Sequence, residues 1–240
     1  MKIAVISDIH SNIYALEEVL LDIEKRQVDL VVCTGDLVGY GTRPNEVIEL
    51  IKKNKILTIM GNYDDAIGNY KIVCGCDYPD QKDAEKASLS MAFTGEETTD
   101  ENKKYLSNLP LEASLKFNNK TIKFVHGSTR VINEYLKENS KEADEVMEEL
   151  KEDILVCGHT HIPYVKYYNE KLLVNAGSVG KPKTNTPNAN YVIINIDNNS
   201  NVATEIIEVS YDFEKMAREI EENSILPNDF ARLIREGSSK

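Results

Sequence analysis

The four histidines of this chain, His10, His126, His159 and His161, each lie just beyond an apolar run, and Asp8, Asp36 and Asn62 occupy the same kind of position. The five phrases are VISDIHSN, VVCTGDLVG, TIMGNYDD, KFVHGS and LVCGHTH. In four of them a glycine touches the polar residue, which lets the backbone turn sharply and approach a ligand. Three oxygen donors and four imidazoles suit Mn²⁺, Fe or Zn²⁺, with Ni²⁺ and Co²⁺ as further options. The motifs hold no thiolate, so a structural Cys-type zinc site is not indicated. Seven ligands exceed what one catalytic ion with an open position takes. Two ions sharing a carboxylate fit better, and Asp36, preceded by Gly35, is the natural bridge.

Such ligands need strands that end side by side. KIAVIS is a short β-branched run, and Leu16, Val19, Leu20 and Ile23 then follow helical spacing. DLVVCTG and KILTIMG read as two more strands, with Pro44 opening a helix between them. Strand, helix, strand, helix, strand implies βαβ units and a largely parallel sheet, whose ligands gather beyond the carboxyl ends of the strands. Residues 65–110 are less regular and read as a loop-and-helix insertion, with a helix near Asp83–Met91, in a chain that otherwise forms one domain. Strands resume at about 113–117 and 121–125, a helix covers 143–150, and DILVCG, YVKYY, KLLVN, NYVIINI and VATEIIEV give a more antiparallel second half. Phe213, Met216, Ala217 and Ile220 mark a C-terminal amphipathic helix, and the final GSSK is expected to fray.

The 240 residues are 41% hydrophobic and 28% charged, enough to bury a sizeable core. No apolar run approaches the roughly 20 residues that span a bilayer, so no membrane partner is expected. A net charge of −12 argues against binding a nucleic-acid duplex through a basic face. Two divalent ions bring about +4 and the two aspartates about −2, so the site itself keeps about +2, a local focus for a small phosphorylated substrate. The four scattered cysteines read as reduced thiols of a cytoplasmic protein. Cys74-Gly-Cys76 reads as incidental, with a redox pair or a third metal site as alternatives. A homo-oligomer is left open.

With these residues in hand, the sequence resembles the calcineurin-like metallophosphoesterases, in particular their small bacterial and archaeal phosphodiesterase-like branch. The family pattern reads here as Asp8-Ile9-His10, Gly35-Asp36, Gly61-Asn62-Tyr63-Asp64, His126-Gly127 and Gly158-His159-Thr160-His161, and NAGSVGKP at 175–182 is similar to the segment that follows. The resemblance implies an α/β fold, a four-layer αββα sandwich of two mixed sheets. It also implies that Asp8, His10 and His161 hold one ion, that Asn62, His126 and His159 hold the other, that Asp36 bridges, and that a metal-bridging hydroxide attacks phosphorus. The activity implied is metal-dependent hydrolysis of a phosphodiester, or of an activated phosphomonoester or phosphoanhydride, with manganese the first metal to expect. A narrow nucleotide or protein phosphatase is the nearest alternative. The same fold also serves as a protein-binding scaffold in a retromer subunit whose metal ligands are eroded, whereas all seven positions are filled here.

Tyr63 departs from the family, which places histidine there to protonate the leaving alkoxide. Tyrosine titrates near pH 10 and is a weak acid at neutral pH, so the expectation is an enzyme that relies on good leaving groups. The role of Asp64, which orients that histidine in the family, is then open. Asn12 either caps the helix that follows or sits at the site rim. Arg43 and Arg130 lie within a loop's reach of ligand strands and are candidate phosphate contacts, while Tyr40 and Tyr135 could line an aryl group or base.

Overall fold

The computed structural model describes residues 1–78 and 80–238. β1 (Lys2–Ile6), β2 (Leu30–Cys33) and β3 (Leu57–Thr58) run parallel, joined by α1 (Ile13–Lys25) and α2 (Pro44–Lys53). Pro44 opens α2 as its spacing predicts. β9 (Ala189–Ile196) and β10 (Val202–Val209) add antiparallel to the other side, giving the order β10-β9-β1-β2-β3. The second sheet has the order β4-β5-β6-β8-β7, from β4 (Glu112–Phe117), β5 (Lys120–Val125), β6 (Ile154–Cys157), β7 (Tyr164–Tyr168) and β8 (Lys171–Asn175). Its β5, β6 and β8 are mutually parallel.

The period-2 alternation of strand side chains sets the layers. Ile3 and Val5 of β1 pack between the sheets against Phe124, Ile154, Val156, Leu172 and Val174 of the second sheet. Ala4 and Ile6 face the other way, onto Leu16 and Val19 of α1 and Val47 and Ile51 of α2. Likewise Leu155 and Cys157 of β6 turn out onto Val146 and Met147 of α6 (Lys141–Glu149). The result is helix, sheet, sheet, helix, the four-layer sandwich of two mixed sheets.

The segment between β3 and β4 is more helical than its polar composition suggests. α3 (Asn62–Gly68), α4 (Gln81–Glu97) and α5 (Asp100–Ser107) occupy it, and α4 runs well past Met91. After β10, α7 (Phe213–Glu222) is followed by α8 (Asn228–Glu236), an element the hydrophobic spacing did not announce. Phe230, Ala231 and Ile234 of α8 pack with Met216, Ala217 and Ile220 of α7 and with Phe93 of α4. The fraying expected of GSSK falls partly on residues 239–240, outside the described residues.

Candidate metal centre

All seven candidate ligands follow the carboxyl ends of parallel strands. Asp8 and His10 follow β1, Asp36 follows β2, Asn62 follows β3, His126 follows β5, and His159 and His161 follow β6. Both sheets contribute, so the site spans the sandwich. All seven are buried. Five of them have left-handed backbone, with φ of 52° at Asp8, 49° at His10, 55° at Asp36, 63° at His159 and 62° at His161. Such residues cost of order 1–3 kcal/mol each and cluster at functional sites. Two glycines permit the crowding. A Cβ at Gly61 would lie 2.1 Å from the Asp36 nitrogen, and one at Gly158 would lie 2.6 Å from Asp8 Oδ2.

Two groups of donors result, Asp8/His10/His161 and Asp36/His126/His159, each with donor atoms within 4.8 Å of one another. Backbone carbonyls orient the rings. His10 Nδ1 donates to Val38 O at 3.0 Å, His126 Nδ1 to Thr34 O at 2.8 Å, and His161 Nδ1 to Lys181 O at 2.6 Å. Those bonds turn each Nε2 inward, the usual outer-shell device of metal-binding histidine. His159 is reversed, with Nε2 on Asn133 O at 3.1 Å, which leaves Nδ1 as its free nitrogen.

Three observations test whether a cation fits. His10 Nε2 and His161 Nε2 lie 3.2 Å apart. Their Nδ1 atoms donate to backbone carbonyls, so two lone pairs face each other. Asp8 Oδ2 accepts from Ser7 Oγ at 2.6 Å and from the His159 backbone N–H at 3.0 Å, yet Oδ1 is buried without a hydrogen-bond partner, 3.3 Å from His161 Nε2. Asp36 Oδ2 lies 3.4 Å from His126 Nε2 and 3.7 Å from His10 Nε2, between the two groups, while Asp36 Oδ1 accepts from the Tyr63 backbone N–H at 2.8 Å. Asn62 Oδ1 joins the second group, 2.9 Å from His126 Nε2. A buried polar atom with no partner is costly, and a metal ion at each group removes that cost.

The electrostatics agree. Burial raises the Asp8 carboxyl, but His161 and the other imidazoles outweigh it and hold the group well below the ordinary carboxylate range. Burial lowers His126, but Asp36 and Asp8 push it up to about 10. Burial dominates at His10, His159 and His161, which are held low and neutral. In the metal-free protein, His126 therefore carries the proton that answers the carboxylates.

Asp64 is not a ligand. Its Oδ2 accepts from the backbone N–H groups of Asp36 at 2.8 Å and Gly61 at 3.0 Å, and its Oδ1 accepts from that of Leu37 at 2.8 Å. It braces the β2 and β3 loops against each other.

These groups sit at the floor of a cavity of about 510 Å³ whose wall includes Tyr40, Tyr63, Tyr78, Tyr135 and Phe230. The Tyr63 ring is buried edge-on to His10, with centroids 5.4 Å apart. Burial raises its phenol well above the usual value. Tyr135 lies on His159, with centroids 4.0 Å apart.

The structure does not bring Asn12, Arg43 or Arg130 into this wall. Asn12 caps α1 through the Ala15 N–H, and its amide donates to Gly180 O and the Tyr211 hydroxyl, both at 3.0 Å. Arg43 forks onto Glu219 at 2.6 and 2.9 Å, and Arg130 pairs with Glu134 at 2.6 Å and Glu145 at 2.9 Å. Their polar atoms are committed within the protein. Lys181 and Lys183, which sequence reasoning passed over, do line the cavity. Burial first, and Lys183 second, push Lys181 down to about 7, and burial lowers Lys183. The cysteine pair also reaches the site: Cys74 Sγ and Cys76 Sγ are 3.0 Å apart, and Asn62 Nδ2 donates to Cys74 O and Cys76 Sγ. Among the described residues, no helix is long and apolar enough to cross a membrane.

Comparison with known proteins agrees with this geometry. The profile of the calcineurin-like phosphoesterase superfamily domain matches residues 1–199. Protein MJ0912 of Methanocaldococcus jannaschii, described as uncharacterized, is 34% identical over 240 residues, covering 93% of each chain. The crystal structure of a metallophosphoesterase from Sphaerobacter thermophilus superposes with a TM-score of 0.78 at 27% identity, over 99% of each chain. That of hypothetical protein PH1004 from Pyrococcus horikoshii OT3 gives a TM-score of 0.83 at 23% identity, over 100% of this chain and 99% of that one, a likeness of fold. Paired donor groups at converging strand ends and a family match over most of the chain lead to one conclusion: the protein belongs to the calcineurin-like phosphoesterase superfamily.

Proposed function

We propose that the protein is a dinuclear-metal phosphoesterase that prefers phosphodiesters, or phosphoanhydrides, with good leaving groups. The observation that carries the reading is the pair of donor groups facing Asp36 Oδ2 from two sides, at 3.4 Å from His126 and 3.7 Å from His10. Asp8, His10 and His161 would hold one ion, Asn62, His126 and His159 the other, and Asp36 would bridge. Two divalent ions held there would supply Lewis acidity toward the phosphoryl oxygens and lower the pKa of water toward neutrality. The oxygen and imidazole donors suit manganese first, with iron, zinc, nickel and cobalt as alternatives.

The remaining work falls to the chain itself. The Tyr63 N–H holds Asp36 Oδ1, so that Oδ2 points at both groups. Asp64 fixes the loops that carry Asp36 and Asn62. Tyr40, Tyr63, Tyr78, Tyr135 and Phe230 give the substrate an aromatic wall above the floor. The Tyr63 phenol, raised by burial, keeps its proton, so departure of the leaving group depends on that group's own acidity.

The test is to strip the protein, reload it with Mn²⁺, and compare initial rates on bis(p-nitrophenyl) phosphate and p-nitrophenyl phosphate, with Asp36→Asn as the control for contaminating phosphatase. Diester preference that disappears in the control is expected. Monoester preference overturns the diester part of the reading, and silence on both substrates with two metals bound overturns hydrolysis of simple esters.

A further inference from the structure

Lys181 is 7% exposed and Lys183 is half-buried, and both line the cavity. Among the described residues, neither ammonium has a hydrogen bond or an ion pair. The Lys181 Nζ lies over the face of Tyr40, 4.5 Å from its centroid, and that ring in turn stands 4.9 Å from His10. The other basic groups of the wall are engaged, Lys86 with Asp83 and Asp229, and Arg232 with Glu236. The wall's carboxylates are partly spent as well, since Asp80 caps α4 through the Asp83 N–H and Asp83 and Asp229 are met by Lys86. Asp77 also lines the wall.

The loop that carries the two lysines is anchored to the metal-site residues. Lys181 O accepts from His161 Nδ1, and the Lys183 N–H donates to His161 O at 3.2 Å. The Lys181 N–H donates to Ser178 Oγ at 2.8 Å, and that hydroxyl donates to Asp8 O at 2.7 Å. The backbone of this loop is thus fixed on the His161 side of the floor, and a buried ammonium there, met only by the Tyr40 ring, is costly without a counter-charge. Two metal ions at the floor would add to that cost, and an anion arriving with the substrate would relieve it.

We infer that Lys181 and Lys183 form an anion subsite for a second phosphoryl group next to the scissile one, which makes the substrate class a phosphoanhydride with at least two phosphorus atoms. The inference rests on the phosphoesterase reading for the identity of the scissile group. A simple diester presents a neutral alkyl or aryl group to this wall, whereas a further phosphoryl group brings oxygens for up to six ammonium N–H donors. Tyr63 points the same way independently. The buried Tyr63 phenol keeps its proton, so a leaving group that is stable as an anion is favoured. In hydrolysis the oxygen of water bonds to the scissile phosphorus, the bridging P–O bond breaks, and its electron pair departs on the oxygen of the leaving phosphate. The proton from water passes to solvent, and the charge gathering on the leaving phosphate meets the two ammonium groups. A cavity of about 510 Å³ leaves room beyond the floor for such a group and what it carries.

The test uses the full chain with Lys181→Gln and Lys183→Gln. With Mn²⁺ loaded, kcat and KM are measured on ATP, by phosphorus NMR, and on bis(p-nitrophenyl) phosphate. Separately, binding of methylenediphosphonate and of methylphosphonate is measured by calorimetry in excess free Mn²⁺. Each substitution is expected to lower kcat/KM for ATP at least about tenfold more than for the diester, chiefly through KM. Each is also expected to weaken the diphosphonate about tenfold while moving the monophosphonate little. If burial makes Lys181→Gln unstable in a thermal melt, the half-buried Lys183 carries the test. Equal losses on both substrates, or unchanged diphosphonate affinity, overturn the subsite. A wild-type protein that cleaves the diester yet neither cleaves ATP nor prefers the diphosphonate overturns it too, and leaves the phosphoesterase reading standing. A protein that cleaves nothing but binds the diphosphonate through these lysines overturns the hydrolase reading and keeps the subsite.

Discussion

Asp64 offers the sharpest separation between a structural and a chemical role. Its two oxygens accept three backbone N–H groups, from Asp36, Leu37 and Gly61, in a fully buried setting. Asp64→Asn keeps the volume but turns one acceptor into a donor. If the amide oxygen takes the Oδ2 position, it still accepts from Asp36 and Gly61, and the new NH₂ faces the Leu37 N–H. At least one charge-assisted bond, worth about 1.5–3 kcal/mol, is then lost, and two donors are left opposed. The expected destabilisation is about 3 kcal/mol by urea denaturation of the metal-free chain, with the denaturant slope unchanged. Because the same bonds fix Asp36 and the start of α3, affinity at the Asp36/His126/His159 group should fall about 10- to 100-fold. Calorimetric titration with Mn²⁺ reads that loss. The alternative, in which Asp64 serves only to orient Tyr63 for proton transfer, predicts lower turnover with full metal affinity and stability. That pattern would refute the bracing argument.

Metal binding should release a proton. His126, held up to about 10 by the carboxylates, must deprotonate to ligate, so affinity at its group should fall about tenfold for each unit that pH drops below about 10, as long as the other ligands stay as they are. Titrations in buffers of different ionisation enthalpy read the proton count, and pH-independent affinity would contradict the assignment. Tyr63→His should raise rates on diesters with poor leaving groups by at least about tenfold and change p-nitrophenyl esters little, flattening a leaving-group series. An unchanged series would mean that the missing acid is not the limitation. Gly61→Ala puts a Cβ 2.1 Å from the Asp36 nitrogen and 2.2 Å from its Oδ1, so metal affinity should fall at least about tenfold even where the chain still folds. Chelation should leave the far-ultraviolet spectrum intact, because the site is already built from backbone hydrogen bonds. At free metal 100 times Kd, the loaded protein should gain about 2.7 kcal/mol by linkage alone.

The ligand set was legible because each member stands at a strand end, where residue type and position carry the same message. The four-layer sandwich was legible only through the family resemblance that the ligand motifs carry; by spacing alone the first sixty residues read as βαβ units of a largely parallel sheet. What escaped depends on distance in the chain. Arg43 reads as a free loop cation until Glu219, 176 residues away, takes its guanidinium. Lys181 drew no reading from the sequence, because its burial depends on how the chain folds over it. α8 is only nine residues long, too short to be stable alone, and its apolar face has meaning only against α7 and Phe93. The left-handed backbone of the ligands also leaves no mark in residue type, because Asp and His merely tolerate it better than most residues.

That strained backbone explains how the carboxylates divide their labour. The Ile9 and His10 N–H groups both donate to Asp36 O, at 2.8 and 3.0 Å, and the Ser11 N–H donates to Leu37 O at 2.8 Å. The Gly158 N–H reaches across to His126 O at 2.9 Å. These bonds tie the loops together, but they leave other N–H groups of the same loops pointing inward, where only side chains can meet them. Asp8 spends Oδ2 on His159 and Ser7, and Asp36 spends Oδ1 on Tyr63. Each then has a single oxygen left to face the cavity floor. Asp64, with both oxygens spent, has none to offer an ion. A carboxylate here can ligate only to the extent that the backbone leaves it unsatisfied, which is why three aspartates in neighbouring loops come to have different roles.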